Sequence, residues 1–164
     1  MKLTIRQMIT AALIAAIYVV LCYIFKPISF SVIQVRISEA LTVLPAVSPI
    51  GIWGVSLGCL LSNLLIGGLG VFDIVFGTLA TVIAAILTYL LRKKPYLAPL
   101  PPVIVNAVVI AWVLKVSGVA EGDSWIVCAL YIGTGQLISC YALGLPFLLF
   151  LRKNKEKLLP SGWL

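Results

Sequence analysis

The chain has 164 residues, 62% of them hydrophobic and only 10% charged, with 12 basic and 5 acidic residues for a net charge of +7. A soluble domain is about 45–50% apolar and about 25% charged, and a globule this small cannot keep so much apolar surface from water. The composition excludes a soluble enzyme, a disordered chain and a disulfide-stapled secreted module, and it makes lipid the solvent for most of the chain.

A bilayer core about 30 Å thick needs about 20 apolar residues per crossing helix. The first segment to meet that length is Gln7–Phe25, which exceeds the apolar core of a signal peptide, lacks a small-residue cleavage site and reads as a retained span. Its ITAALIAAIYVVL run carries Ala11/Ala15 and Ala12/Ala16, two overlapping small-x-x-x-small pairs. Such a face lets another helix approach closely, either a partner subunit or a neighbour in the same bundle. The next stretch, Val32–Val47, is shorter, is interrupted by Pro45 and contains Arg36 and Glu39. Four further segments, Ile50–Ile66, Val71–Leu91, Pro99–Val116 and Trp125–Leu151, are long and apolar enough to cross.

Charge decides the doubtful second segment. Lys2, Arg6, the Arg92–Lys94 run and Arg152, Lys153, Lys155 and Lys157 flank the spans, whereas the rest of the chain, Glu156 aside, sums to −1. Short basic loops stay cytoplasmic, which puts both termini and the Arg92–Lys94 loop inside and requires an even number of crossings. Val32–Val47 then supplies the sixth, starting near Gln34. The expected fold is an all-α membrane protein of six transmembrane helices forming one domain over residues 1–164. Lys26–Ile33, Gly67–Gly70 and Ser117–Ser124 face outward.

Polar side chains in hydrocarbon are costly and mark candidate sites. Arg36 and Glu39, three residues apart, share one face of the second helix and either pair with each other or face a solute. Asn63 falls near the outer end of the third helix and Asp73 at the outer start of the fourth, where a carboxylate also complements the helix dipole. Asn106 lies on the fifth. Thr134, Gln136, Ser139 and Tyr141 lie on the sixth, with Gln136 roughly 16 Å inside Trp125 at helical rise. Each amide is either interhelical glue or part of a site. Glu121 and Asp123 read as a solvated outer loop, Trp125 and Trp163 as interfacial anchors. Trp53 and Trp112 are deeper and either pack a core or stack on a ligand. Cys22, Cys59, Cys128 and Cys140 have no C-x-x-C spacing and read as buried free thiols. No metal site or cofactor is expected.

Carboxylates, one guanidinium and amides gathered toward the outer half of several helices suit a flat solute with several hydrogen-bonding edges. A pore would instead need repeated rings of like groups. The chain has no P-loop and no evident inverted repeat, so a binding subunit of a larger complex fits better than a self-standing carrier or channel. An intramembrane enzyme using Glu39 and Asp73 as acid and base is a further alternative, weakened by the absence of histidine.

The runs QVRISEALTVLP (Gln34–Pro45), GCLLSNLLIGG (Gly58–Gly68), DIVFGTLAT (Asp73–Thr81) and PPVIVNAVV (Pro101–Val109) resemble, in order, the QueT family. The resemblance implies a substrate-binding (S) component of an energy-coupling factor importer for queuosine precursors, docking on a transmembrane scaffold subunit and two ATPases. It implies that Ala11, Ala12, Ala15 and Ala16 face that scaffold. It also implies a 7-deazaguanine, such as queuine or its aminomethyl precursor, which agrees with the candidate set Arg36, Glu39, Asn63, Asp73, Asn106, Gln136 and Trp112 read from the residues: its N–H donors suit Glu39 or Asp73 and its carbonyl Asn106 or Gln136. Members of that family often carry Glu where Gln136 stands, so this site has one less negative charge.

Overall fold

The computed structural model describes residues 4–29, 35–67, 70–120 and 122–154. Gln34, Glu121, Trp163 and the basic residues Lys2, Lys155 and Lys157 lie outside the described residues. Among those described, every regular element is helical: α1 (Ile5–Ile24), α2 (Lys26–Ser29), a 3-10 helix (Ile37–Ala46), α3 (Ile50–Leu65), a π segment (Asp73–Gly77) leading into α4 (Thr78–Leu90), α5 (Leu100–Val116), α6 (Trp125–Leu137), a second π segment (Ile138–Gly144) and α7 (Leu145–Lys153). Three continuous stretches, Ile5–Ile24, Asp73–Leu90 and Trp125–Lys153, are long and apolar enough to cross a membrane.

The bundle is apolar outside and polar within. Leu13, Ile17, Ile83, Leu90, Leu130 and Phe150 are all exposed, whereas Arg36, Glu39, Asn63, Asp73, Asn106 and Gln136 are all buried. Water would impose the opposite pattern, and an exposed apolar surface of this extent belongs against lipid.

Local signals start the outer helices. Thr4 and Gln7 close a reciprocal capping box on α1, and the Ser124 hydroxyl accepts from the Val127 amide at 3.3 Å to cap α6. Gly118, with φ +74°, ends α5 in the left-handed conformation that favours glycine. α1 then lies directly on α3. A Cβ built on Gly54 would stand 2.6 Å from the Ile14 Cβ, and one on Gly58 would stand 2.7 Å from the Tyr18 Cβ and 3.2 Å from the Ala15 Cα. The two glycines let the helix backbones meet without intervening side chains.

This contact divides the alanine face of α1. Ala11 and Ala15 are buried on α3, while Ala12 and Ala16, about 100° further round the helix, are exposed. The expectation that all four alanines face a partner is corrected: the buried pair belongs to internal packing.

The second segment, expected as a short helix, takes an unusual winding over Ile37–Ala46. It is a 3-10 helix with Pro45 inside it, and it runs through the middle of the bundle. It touches α1, α3, α4, α7 and the second π segment, and no residue from 35 to 50 is exposed. The Thr42 hydroxyl donates to the Glu39 carbonyl three residues back at 2.6 Å, and Pro45 has no N–H for the ladder, so an i→i+4 ladder is broken from both ends. The tighter winding rises about 2.0 Å per residue, so these 10 residues span about 20 Å where an α-helix would span about 15 Å. A stretch short for a crossing is thereby lengthened.

Candidate functional site

The start of the 3-10 helix sets the site. Arg36 is its N-cap residue, extended, with its carbonyl accepting from the Glu39 amide at 2.9 Å, and Glu39 lies in the first turn. They take different partners. The Arg36 guanidinium lies 3.8 Å from the Asp73 Oδ2 and donates from Nε to the Ser29 carbonyl at 3.3 Å. Glu39 accepts instead from the Tyr18 hydroxyl of α1 at 2.6 Å, the length of a charge-assisted hydrogen bond. The reading in which Arg36 and Glu39 form an ion pair with each other gives way to these two separate contacts.

Asp73 occupies the first turn of the helical stretch that becomes α4, as expected, but it is fully buried rather than a surface dipole partner. Asn63, two residues before the end of α3, reaches it and donates from Nδ2 to the Asp73 backbone carbonyl at 3.0 Å. Gly77 makes the room. A Cβ there would stand 2.8 Å from the Asn63 Nδ2 and 3.0 Å from the Asp73 Oδ1. The π winding of Asp73–Gly77 is of the kind that recurs at functional sites.

A third arm comes from the second π segment. The Cys140 thiol lies 3.8 Å from the Glu39 carbonyl and 3.6 Å from the Gln136 Oε1, which ties Gln136 to the 3-10 helix. Asn106 is buried on α5 and makes no side-chain hydrogen bond among the described residues. It sits one turn from Ile110, whose Cδ1 would meet a Gly77 Cβ at 3.6 Å. Six of the seven residues expected to bind solute are thus buried in the bundle; Arg36, Asp73 and Asn63 join through direct contacts, and the Cys140 thiol links Gln136 to the Glu39 carbonyl.

Buried polar atoms without a hydrogen-bond partner among the described residues gather in this cluster, the Ser29 and Ser62 hydroxyls as well as several acceptors. Glu39 Oε2, Asn63 Oδ1 and Asp73 Oδ1 are buried without a hydrogen-bond partner among the described residues, and the Asp73 Oδ2 sees Arg36 only at ion-pair distance. A buried acceptor left unsatisfied costs about 1–3 kcal/mol, more when charged. Several in one cluster is a pattern that a donor-rich ligand relieves.

Trp112 is not among these groups. It lies six residues from Asn106, about 120° around α5, and is 41% exposed. Its ring packs edge-on against Phe76 with centroids 4.8 Å apart. With Val108, Val109 and Trp125 these rings line an open apolar groove of about 420 Å³ on the outside of the bundle. The structure does not bring Trp112 to the buried polar cluster with which the sequence grouped it. Trp53, 58% exposed, likewise points outward, away from the buried Gly54 and Gly58 of the same helix. Thr134 is exposed and returns its hydroxyl to the Leu130 carbonyl at 2.7 Å, Tyr141 bonds the Tyr96 carbonyl at 3.1 Å, and Ser139 donates to the Gly135 carbonyl at 3.0 Å. All four cysteines are free and buried, as expected.

Sequence reasoning missed Tyr18. It stands inside an apolar run with nothing polar beside it. The available signal was its register: Ala11, Ala15, Tyr18 and Cys22 follow the i, i+4, i+7, i+11 stripe of one helix face, and all four are buried. Thr81 was missed too. It donates to the Cys59 thiol at 3.1 Å and to the Gly77 carbonyl at 3.0 Å, bracing the π turn.

An all-helical bundle, apolar outside and with a cluster of buried polar groups within, has the build of a membrane protein that handles a small polar solute. Residues 8–153 match the QueT transporter family, so the chain belongs to that family. No curated protein and no solved structure matches it. Membership makes the chain a transporter-family membrane protein with a small-molecule substrate.

Proposed function

We propose that the chain is the substrate-binding S component of an energy-coupling factor importer, and that its solute is a queuosine precursor of the 7-deazaguanine class. It forms one membrane domain. α1, the 3-10 helix, α3, the Asp73–Leu90 stretch, α5 and the α6–α7 stretch make six crossings, with both termini cytoplasmic. On that orientation the end of α3 and the start of the Asp73 segment lie toward the outer face, and the solute enters there.

The observation that supports this reading is the set of buried acceptors without donors, Glu39 Oε2, Asn63 Oδ1 and Asp73 Oδ1, around the Arg36–Asp73 pair. A guanine-like edge carries a ring N–H and an exocyclic amine, two donor groups side by side, with a carbonyl next to them for Arg36 or an amide. Asn106 and Gln136 sit deeper and read the remaining edge. The exposed Ala12/Ala16 pair is the part of α1 open to the scaffold subunit, and the ATPases of that module supply the energy. Calorimetric titration of the purified chain with guanine, the aminomethyl precursor and queuine tests this directly. The expected result is binding by the chain alone, strongly weakened but still measurable in Glu39→Gln and Asp73→Asn, with uptake into cells requiring the ATPase module. Binding of a different vitamin-like solute and of no deazaguanine refutes the substrate assignment.

A further inference from the structure

We propose that Tyr18 is a positioning residue of the solute site, holding the Glu39 carboxylate so that one oxygen is committed to the protein and the other is offered to the ligand. The inference rests on the binding site proposed above. Glu39 has two oxygens in different situations: Oε1 accepts from the Tyr18 hydroxyl at 2.6 Å, and Oε2 is buried with no partner among the described residues. A carboxylate with both oxygens free would rotate between orientations. One short bond to a fixed phenol removes that freedom.

The phenol is itself fixed. Tyr18 is fully buried, and its Cβ and Cγ lie against Gly58 of α3, where a Cβ would come within 2.7 and 2.9 Å of them. One turn further along α1, the Cys22 thiol lies 3.0 Å from the Ser38 hydroxyl, so the residue before Glu39 is tied to the same helix. α1 thus grips the 3-10 helix at two adjacent points, of which only the Tyr18 contact touches the carboxylate. The Cys22 contact serves as an internal control for simple packing.

The experiment is a double-mutant cycle on the full-length chain in detergent, read by titration with the aminomethyl deazaguanine. Tyr18→Phe keeps the ring and removes only the hydroxyl. It is expected to weaken binding about tenfold, or about 1.4 kcal/mol. In a Glu39→Gln background the same change is expected to alter affinity by less than about twofold. Cys22→Ala, which removes the neighbouring contact, is expected to leave affinity within about twofold of the parent. Equal losses for Tyr18→Phe with and without Glu39→Gln, or a loss in Cys22→Ala matching that of Tyr18→Phe, would show that the hydroxyl acts only through general packing and would overturn the proposal. Should Tyr18→Phe alone not stay monodisperse, the Tyr18→Phe/Glu39→Gln chain is compared with Glu39→Gln, and a tenfold difference between those two overturns it equally. Failure of the parent chain to bind any deazaguanine refutes the substrate assignment, whereas normal binding by Tyr18→Phe refutes only the role of Tyr18.

Discussion

Replacing Gly58 by alanine tests the close contact between α1 and α3. The added methyl carbon would stand 2.7 Å from the Tyr18 Cβ, 2.9 Å from its Cγ and 3.2 Å from the Ala15 Cα. Carbon atoms rest about 3.5–4.0 Å apart, so α1 must retreat from α3 by several tenths of an ångström, and no flexible side-chain end is there to yield. Overpacking of this kind costs about 1–3 kcal/mol, and the helical preference of alanine over glycine returns about 0.5–1 kcal/mol. The net expectation is a loss of up to about 2.5 kcal/mol. Gly133→Ala provides the contrast: its nearest neighbour is the Ala107 Cβ at 3.5 Å, an ordinary contact. That variant is expected to gain about 0.5–1 kcal/mol from helix preference alone. Unfolding both variants and the parent by titration with a denaturing detergent, followed by circular dichroism, reads the order directly. A Gly58→Ala chain as stable as Gly133→Ala would refute the close approach of α1 and α3 and with it the clamp on Tyr18.

Arg36→Met is expected to destabilise the chain by about 3–5 kcal/mol, because the fully buried Asp73 loses the guanidinium 3.8 Å away; Arg36→Met/Asp73→Leu should recover most of that loss in the same titration, and equal loss in both would refute the pairing. On α1, Ala15→Leu should cost about 1–3 kcal/mol by overpacking against α3, whereas Ala16→Leu, on an exposed position, should leave folding and solute binding unchanged and impair only ATPase-dependent uptake. Trp112→Ala should leave solute affinity within about twofold of the parent, since the ring lies on the outside of the bundle with Phe76; a large loss measured by calorimetry would return Trp112 to the site. The four buried thiols should resist a maleimide in the folded state and react fully once unfolded, as read by mass spectrometry.

Much of the candidate site was legible residue by residue, because an ionisable or amide group in an apolar run has few reasons to be there. Arg36, Glu39, Asn63, Asp73, Asn106 and Gln136 each stood out by chemistry alone, and all are buried. Their partners did not stand out. Arg36 and Glu39 are neighbours in sequence, but their contacts are with Asp73 and Tyr18, 37 and 21 positions away. Tyrosine and tryptophan are harder to read than charges, since each fits oil, interface or site equally well. Hence Tyr18 does not stand out in the sequence, and Trp112 lies apart from the polar residues with which the sequence groups it.

Composition, hydropathy and the spacing of charges determined that the chain is helical, lives in lipid and carries buried polar chemistry, since these follow from what hydrocarbon tolerates in any arrangement of the helices. The winding of Ile37–Ala46 was decided only by tertiary structure. That stretch is surrounded on all sides, and a 3-10 helix lets ten residues cover the depth of the bundle while Thr42 and Pro45 disturb the α ladder. The division of the α1 alanines was decided there too. Ala11/Ala15 and Ala12/Ala16 are the same chemistry at the same spacing, and only the glycines of α3 determine which pair is covered.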